Sequence, residues 1–374
     1  MKKPLANNCN TSFAAGIFPE ILKIATVKPL HKKGNRGEFQ NYRPISLLSV
    51  FSKIVEKLMY SRFMLFVTKN NIQNDVQHGF REGKSTEAAT HAFLENIQKA
   101  VEKTNLIGIF FDLSKAYDVL DHKILLFKLD AYGIKGLVNQ WFKSYICNRK
   151  QYFEINYMEN ISRISEKFTS TLKKRKVESL RARFSTRFCS VIYNDLLVNM
   201  QRGRTTLFAD DTNIQINATN ANILNETIKE FMQQLSSSFY LNKLVKNPNK
   251  TIAISIHAWQ KINKLEPEIV FQDMDIKHNN ETKCLGLYLT KDVKWDVHIT
   301  HVCNILNKNY YVIHSIKNVT SINTLRSVYF ANFHSHLRYG ILFWGSDSQS
   351  TKVFKLQKKV VGLICNVKRK TSCR

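Results

Sequence analysis

The stretch LIGIFFDLSKAYDVLDH, residues 106–122, decides the fold of this chain. Its first six residues form a continuous apolar run of strand length, and Asp112 follows directly. Helical periodicity takes over after Asp112. The pattern predicts a strand that is buried on both faces and delivers a carboxylate at its end.

A second acidic stretch, TTLFADDTNIQI at residues 205–216, predicts two short strands flanking Ala209, Asp210 and Asp211. Unpaired carboxylates beside a core are costly, and divalent metal ions would offset that cost. Two-metal phosphoryl transfer needs hard oxygen ligands around ions about 3.5–4 Å apart, and one strand-end Asp with an Asp-Asp turn would supply them. Spacing alone leaves a plainer alternative open, in which Asp112 precedes an N-capped helix and the Asp-Asp pair is a polar turn.

The composition predicts a folded protein that attracts polyanions. The chain has 374 residues, of which 44% are hydrophobic and 11% aromatic, enough for a sizeable core in two or three subdomains. Its 56 Lys and Arg against 29 Asp and Glu give a net charge of +27, spread along the whole chain. Binding of a polyanion to such a surface would be strongly salt-dependent. A basic protein without such a partner is the alternative that charge alone permits.

Cysteine spacing and hydropathy exclude several classes of protein. The seven cysteines are scattered and form no Cys-x-x-Cys pair, which favours a reducing compartment over a disulfide framework or zinc knuckle. His298, His301 and Cys303 lie close together in sequence, but this spacing on a helix is more typical of surface or packing residues than of a metal site. No apolar stretch approaches the roughly 18 residues of a membrane span, and the N-terminus has no signal-peptide core. We expect no membrane association.

The residues before 106 predict one strand, one loop and two helices. The strand is expected over residues 21–30, and Pro29 with the breaker-rich residues that follow, up to Pro44, predicts an exposed basic loop. The helices are expected over residues 46–66 and from about Ser85, which would be the N-cap of the second helix. From about Asp296 onward the pattern is mostly helical and basic.

Several motifs resemble the reverse transcriptases of non-LTR retrotransposons, in the same order over about residues 5–365. FFDLSKAYDVLDH (110–122) resembles the first palm motif of that family, and FADD (208–211) resembles its paired-aspartate motif. Further segments resemble motifs of the fingers, the Lys-bearing palm motif, the hairpin before the thumb and the helices beyond it. In that order they are VKPLHKKG (27–34), NYRPISLLSVFSKIVEKLMYSRF (41–63) and QHGFREGKST (77–86) for the fingers, then LNKLVKNPNKT (241–251), ETKCLGLYLTKDVKWDVHI (281–299) and LRSVYFANFHSHLRYGILFWG (325–345). The chain is most similar to the jockey-like insect type.

This resemblance implies an α+β right-hand polymerase with fingers, a palm made of an antiparallel sheet backed by helices, and a helical thumb. It implies fingers over residues 1–105, a palm over 106–260, and a palm-to-thumb hairpin with a basic helical thumb over 261–374. The chain would begin inside the fingers. Because related elements place an endonuclease upstream, it is expected to be a fragment or a partial gene product.

The resemblance also implies a metal site. Asp112 and Asp210 would be the main ligands, with Asp211 beside them and the backbone carbonyl of Leu113 as a further ligand. The implied cofactor is a pair of Mg²⁺ ions, with Mn²⁺ as a substitute.

Nucleotide binding is implied for a further set of residues. Arg43 would reach the triphosphate as a planar donor fork, with Lys28 or Lys32 as its companion. Tyr117 would lie beneath the incoming sugar as a steric gate, and Lys250 would neutralise the departing pyrophosphate. An ordinary packing tyrosine and a solvated surface lysine remain the alternatives for Tyr117 and Lys250.

The reaction implied is RNA-templated attack of a primer 3′-hydroxyl on the α-phosphate of a deoxynucleotide, in which positioning and charge neutralisation carry the rate. The implied partners are an RNA template, a DNA primer, dNTPs and the RNA of the element, in a ribonucleoprotein of the nucleus or cytoplasm. An intron-encoded maturase with the same palm is less favoured, because SKAYD (114–118) and HSHLRYG (334–340) resemble the retrotransposon group more closely.

One segment departs from the family pattern. Where the family has a Gly-Val-Pro-Gln-Gly-Ser loop between the two aspartate motifs, this chain has VESLRARFSTRFCS, residues 177–190. Written in synonymous codons and read two nucleotides later, these residues give Gly-Val-Pro-Gln-Gly-Ser-Val-Leu-Asp-Pro-Phe-Leu-Phe. We therefore expect a frameshifted segment within about residues 157–191, and we interpret LKKRK (172–176) as its by-product rather than a nuclear-localisation signal. A catalytically inactive nucleic-acid-binding remnant, or a pseudogene product, is the competing interpretation of function.

Overall fold

The fold was analysed in a computed structural model that describes residues 2–101, 104–113, 121–158, 165–174, 203–209, 211–245, 251–257 and 266–367. These residues form helices and largely antiparallel sheets, so the α+β class is confirmed. The predicted boundaries between fingers, palm and thumb stay a prediction.

The helices are α1 (Lys2–Ala15), α2 (Val50–Lys69), α3 (Thr86–Val101), α4 (His122–Ala131), α5 (Gly136–Ile146), α6 (Ala221–Leu241), α7 (Asp296–Ile316), α8 (Ile322–Val328), α9 (Ser335–Arg338), α10 (Ile341–Trp344) and α11 (Thr351–Ile364). A π-helical segment, Tyr329–His334, joins α8 to α9, and 3-10 turns occupy Glu20–Lys23, Phe39–Asn41 and Ser348–Ser350. The strands are β1 (Ile24–His31), β2 (Tyr42–Leu48), β3 (Asn105–Phe111), β4 (Lys150–Met158), β5 (Ser165–Thr169), β6 (Lys173–Lys174), β7 (Arg204–Phe208), β8 (Asp211–Ala218), β9 (Ile252–Ile256), β10 (Val270–Phe271), β11 (Met274–Asp275), β12 (Lys277–His278), β13 (Glu281–Cys284) and β14 (Leu287–Thr290).

The strand predicted before Asp112 is the centre of the larger core. β3 lies in a sheet of order β12-β9-β3-β8-β7, antiparallel to both β9 and β8. Successive side chains of a strand point to opposite faces, and here Ile109 packs in the cluster that contains α6, whereas Phe110 packs in the cluster that contains α3. Residues 106–111 of β3 are therefore apolar and buried on both faces, and the prediction of a strand buried on both faces is confirmed.

A second sheet, of order β2-β1-β4-β5, corrects the prediction for the N-terminal region. The helix expected from residue 46 begins at Val50, because residues 46–48 belong to β2 and the Ser49 side chain accepts the Ser52 amide as the cap. The expected loop from Pro29 to Pro44 is shorter for the same reason, since Pro29 pairs with Pro44 inside β1 and β2. β4 pairs with β1 only over residues 24–27, so the missing amide hydrogen of Pro29 faces no partner strand.

The predictions for the second helix and for the C-terminal region are confirmed, whereas the residues that directly follow Leu113, up to 120, lie outside the described residues. Helix α3 begins at Thr86, and Ser85 Oγ accepts a hydrogen bond from the Ala88 amide, as expected of an N-cap. Strands β13 and β14 form the hairpin within ETKCLGLYLTKDVKWDVHI (281–299), and the helices from α7 to α11 follow it. In the described part of the chain, no helix is long and apolar enough to cross a membrane.

Candidate active site

The two strand ends that carry the predicted carboxylates are neighbours in the central sheet. Phe111 of β3 pairs with Thr212 of β8, so the next residues in this direction are Asp112 and Asp211. Both line one pocket of about 180 Å³. The structure thus brings together two acidic residues that are far apart in sequence.

The hairpin that carries Asp211 is fixed by residues 76–79, which precede α3 in the sequence. Ala209 starts the turn between β7 and β8 with a φ of 58°, in the left-handed region. Gln77 is 1% exposed, and its Oε1 accepts hydrogen bonds from the amides of Ala209 (3.1 Å) and Gly79 (2.7 Å). Its Nε2 donates to the Ala209 carbonyl at 3.4 Å. Residues 76–78 also form a parallel bridge with β7, in which the His78 amide donates to Leu207.

No sequence pattern gives Gln77 a role of its own. QHGF is only part of a family resemblance, and a glutamine two residues before a glycine in a turn-rich segment carries no stronger signal. Its buried position and its three hydrogen bonds identify it as the residue that holds the acidic turn in place.

The β13–β14 hairpin forms the opposite wall of the pocket. Besides the two aspartates, the pocket is lined by Phe110, Phe111, Asn213, Thr282, Lys283, Cys284 and Leu285. Burial, and secondarily the negative charge of Asp211, raises the pKa of Cys284 to about 12, so this thiol is neutral and unreactive at neutral pH. Lys283 is exposed, with its Nζ 5.5 Å from the ring centroid of Tyr288.

Lys283 and Asn213 are pocket residues that sequence analysis missed. Asn213 is buried, and among the described residues its Nδ2 has no hydrogen-bond partner. Alternation along β8 placed Asn213 on the same face as Asp211, which was the available signal. For Lys283 the signal was its position in the recognised hairpin motif.

The predicted triphosphate-binding residues lie in the second sheet. Leu30 pairs with Arg43 and Lys28 pairs with Ile45, so alternation places Lys28 and Arg43 on the same face of β1 and β2. Arg43 is exposed, and Lys28 is within 3.0 Å of a carboxylate oxygen of Glu154. Neither of the two basic residues is among the described residues that line the carboxylate pocket.

The structure describes some of the other predicted site residues and leaves others outside the described residues. Lys32 follows β1 with an exposed side chain, and its amide donates to the Asn41 carbonyl. The Leu113 side chain is buried in the core beneath the pocket. Asp210, Tyr117 and Lys250 lie outside the described residues, as does the divergent segment at residues 177–190. Among the residues that are described, no three His, Cys, Asp or Glu side chains are grouped to hold a metal ion.

A family model described as reverse transcriptase (RNA-dependent DNA polymerase) matches residues 30–289, which include both described aspartates and the Gln77 segment. The chain belongs to the reverse transcriptase family. The resemblance of its palm motifs to reverse transcriptases is thereby confirmed.

Three relatives of this reverse transcriptase chain come from mobile elements of Drosophila melanogaster. The probable RNA-directed DNA polymerase from transposon BS is 25% identical over 91% of this chain, and that from transposon X-element is 24% identical over 93%. The RNA-directed DNA polymerase from mobile element jockey is 31% identical over 32% of this chain and 13% of its own length. The predicted relation to jockey-like non-LTR elements is confirmed. The chain spans 38% of the length of the first two of these curated relatives.

Solved telomerase structures are also similar to this reverse transcriptase. Apo telomerase from Candida tropicalis has a TM-score of 0.49 and 12% identity, covering 97% of this chain and 66% of that chain. Telomerase from Candida albicans in complex with a telomeric RNA fragment has a TM-score of 0.43 and 9% identity, over the same shares of the two chains.

Proposed function

We propose that this chain is the RNA-directed DNA polymerase domain of a non-LTR mobile element, which extends a primer 3′-hydroxyl with dNTPs on an RNA template. The observation that carries the proposal is the pocket that Asp112 and Asp211 share at the ends of β3 and β8, in a chain of the reverse transcriptase family.

The donor set of this pocket fits a divalent metal. Carboxylate oxygens are the ligands that Mg²⁺ and Mn²⁺ prefer, and the described wall offers two of them. Asp112, Asp211, Asp210 and the Leu113 carbonyl would hold two Mg²⁺ ions, for which Mn²⁺ would substitute. When bound, such ions make the attacking hydroxyl more acidic and stabilise the leaving oxygen.

The other predicted site residues would bind and orient the nucleotide. Arg43 and Lys28, on one face of the second sheet, would pair with triphosphate oxygens, because guanidinium and ammonium groups form charge-assisted hydrogen bonds with phosphate. Lys32 is a further cation beside them. Tyr117 would exclude a 2′-hydroxyl, and Lys250 would stabilise the departing pyrophosphate.

The net charge of +27 supports nucleic-acid partners. We propose an RNA template, a DNA primer and the RNA of the element as those partners, within a ribonucleoprotein of the nucleus or cytoplasm. The fingers would lie in residues 1–105, the palm in 106–260 and the thumb in 261–374.

Primer extension on an RNA template with Mg²⁺ tests the proposal. Incorporation of dNTPs should fall by about 100-fold or more in Asp112→Asn and in Asp211→Asn, because each substitution removes a charged metal ligand. Asp130→Asn, at an exposed position of α4, is the matched control and should retain wild-type incorporation. Equal activity in all four proteins would overturn the assignment of the site.

A second candidate function is a nucleic-acid-binding remnant without catalytic activity. The divergent segment at residues 177–190 favours it, because a polymerase of this family needs its tight glycine loop beside the nascent base pair. The same assay separates the two candidates, since a folded remnant would bind RNA with a steep salt dependence and incorporate no dNTP.

A further inference from the structure

Glu154 occupies an unexpected place for an acidic residue, in the middle of the face that carries Lys28 and Arg43. Val27 pairs with Phe153 in the parallel β1–β4 ladder, so Glu154 is the neighbour of Lys28 on that face. Lys167 is diagonal to Glu154 across the β4–β5 pair, because Asn156 pairs with Lys167 and Glu154 pairs with Thr169. The three side chains therefore meet on one surface of the sheet.

The two lysines bind different oxygens of the same carboxylate. Lys28 Nζ is 3.0 Å from Glu154 Oε1, and Lys167 Nζ is 2.7 Å from Glu154 Oε2. The Glu154 side chain is 10% exposed, whereas that of Lys28 is 44% exposed. These hydrogen bonds, led by the one from Lys167, lower the pKa of Glu154, so the carboxylate is ionised at neutral pH.

The charges of the trio leave Lys28 able to bind an anion. One carboxylate against two ammonium groups gives a net positive charge, and Lys167 alone neutralises Glu154. An ammonium group has three donors, and the contact with Glu154 uses one of those of Lys28. Its other donors and its exposed side remain open to solvent.

We propose that Glu154, neutralised by Lys167, is a positioning residue that holds the Lys28 ammonium group ready for the triphosphate of an incoming dNTP. This inference rests on the proposed function. A free lysine side chain loses rotamer entropy when it is immobilised. A carboxylate that already restrains Lys28 reduces this cost at the moment of binding.

Glu154 could also act in the opposite direction, by repelling the triphosphate. The direction of the change in affinity on its removal therefore distinguishes repulsion from positioning. Glu154 would repel phosphate if its charge were not neutralised, and its removal would then tighten binding. Lys167 cancels that repulsion in the structure, and we therefore expect restraint of Lys28 to dominate.

The primary test measures binding of inorganic triphosphate by calorimetry without divalent metal, which needs no catalysis. Glu154→Gln should weaken binding by about fivefold, as expected for one partly exposed ion pair. Lys28→Met should weaken it at least as much, and the double variant should bind no more weakly than Lys28→Met alone. Glu226→Gln, at an exposed position of α6, is the matched control and should bind as the wild type does.

The role of Lys167 has its own pair of variants. Lys167→Met should weaken triphosphate binding, because Lys28 must then neutralise Glu154 alone, whereas Lys167→Arg should preserve it. Unchanged or tighter binding in Glu154→Gln, or additive losses in the double variant, would overturn the inference. So would a wild-type chain that binds no triphosphate.

Primer extension supplies a second readout. In Glu154→Gln the KM for dNTP should rise by about the same factor as the loss of binding, with kcat and the affinity for template and primer retained. A kcat that falls while the KM stays constant would contradict a positioning role. If the wild type extends no primer but the triphosphate affinities follow the expected order, the proposed function fails and the inference on Glu154 stands.

Discussion

Gly79 lies against the backbone of Ala209, so close that a Cβ atom on Gly79 would be 2.1 Å from the Ala209 nitrogen. No side chain fits that space without displacing backbone. Gln77 completes the same contact with hydrogen bonds to both residues. The turn that precedes Asp211 is therefore placed by residues 77–79, which come before β3 in the sequence.

The first prediction is that Gly79→Ala damages both stability and the acidic turn. The added methyl group would push the Ala209 backbone away from Gln77, which should cost about 1–3 kcal/mol of unfolding free energy, as for other overpacked sites. It should also lower primer extension by on the order of 100-fold, because small displacements of reacting groups are costly. Urea unfolding and primer extension measure the two effects.

Gly362→Ala is the matched control for this substitution. Gly362 lies in α11, and a Cβ there would meet no atom within 4 Å. The change should raise stability by up to about 1 kcal/mol, because alanine favours a helix over glycine. Wild-type stability and activity in Gly79→Ala would show that the turn can move without consequence.

The second prediction concerns the loss of stability in acid. His298 is 2% exposed on α7, where its Nδ1 accepts a hydrogen bond from the Tyr288 amide. Burial, followed by the nearby charges of His301 and Lys283, lowers the pKa of His298 from 6.5 to about 4. Because the folded state binds this proton less readily than the unfolded state, stability is full above pH 6.5 and declines as the pH falls towards 4. The His298 contribution to this decline is roughly 3 kcal/mol.

His298→Asn isolates this contribution, because asparagine offers an acceptor to Tyr288 but does not titrate. Between pH 6.5 and 4.5 the wild type should lose more unfolding free energy than the variant, as measured by denaturant unfolding at each pH. His314→Gln, at an exposed position of the same helix, should retain the pH dependence of the wild type. Parallel curves for wild type and His298→Asn would contradict the prediction.

The third prediction concerns a buried ion pair between α2 and the start of β4. Arg149 Nη2 is 4.0 Å from Glu56 Oε1, and both side chains are buried. Burial raises the pKa of Glu56 despite the charge of Arg149, so the pair compensates desolvation incompletely. Arg149→Met would leave the Glu56 charge buried and should cost about 3–5 kcal/mol of unfolding free energy.

Glu56→Gln should cost less than Arg149→Met, because a neutral amide still accepts the hydrogen bond from Ser52 and needs no counter-charge. Arg149 also keeps its hydrogen bond to the Tyr145 carbonyl and its position over the Tyr145 ring. Urea unfolding measures the loss of unfolding free energy in each variant. A larger loss in Glu56→Gln than in Arg149→Met would refute this account of the pair.

The fourth prediction assigns Lys283 to nucleic-acid binding. Lys283 lines the same pocket as Asp112 and Asp211 and is exposed, so a phosphodiester that enters the pocket passes within its reach. Lys283→Met should reduce the slope of log affinity against log salt by about 1, the change expected for one lost phosphate contact. Lys277→Met, at an exposed position of β12, is the control. An unchanged slope in Lys283→Met would place this lysine outside the nucleic-acid path.

Local sequence patterns predicted the central strand β3 more accurately than the bounds of the N-terminal elements. An unbroken apolar run has few structural alternatives beyond a strand buried on both faces, so β3 and Asp112 were found from the sequence. The start of α2 was placed too early, because Ser46, Leu47 and Leu48 have the spacing of a helix while their pairing with β1 makes them a strand. Such pairing depends on a partner strand and is invisible in a local window.

The sequence predicted the kinds of residue that form the site better than it predicted their positions in space. Aspartates at strand ends pointed to Asp112 and Asp211, which the register of β3 and β8 then placed side by side. Gln77 and Glu154 have no local signature, since their importance comes from contacts with Ala209 and Lys28 across the tertiary structure.

The last prediction addresses the divergent segment. Between residues 172 and 189 the chain has seven Lys and Arg and one Glu, where the family has a glycine loop beside the nascent base pair. Replacing residues 177–189 by Gly-Val-Pro-Gln-Gly-Ser-Val-Leu-Asp-Pro-Phe-Leu-Phe should raise primer extension on the order of 100-fold, because the pocket for the base pair would regain its shape. The gain should vanish in the same chain with Asp211→Asn, which separates restored catalysis from better folding. Equal extension by the original and the replaced chain, both folded, would show that residues 177–190 do not limit the polymerase.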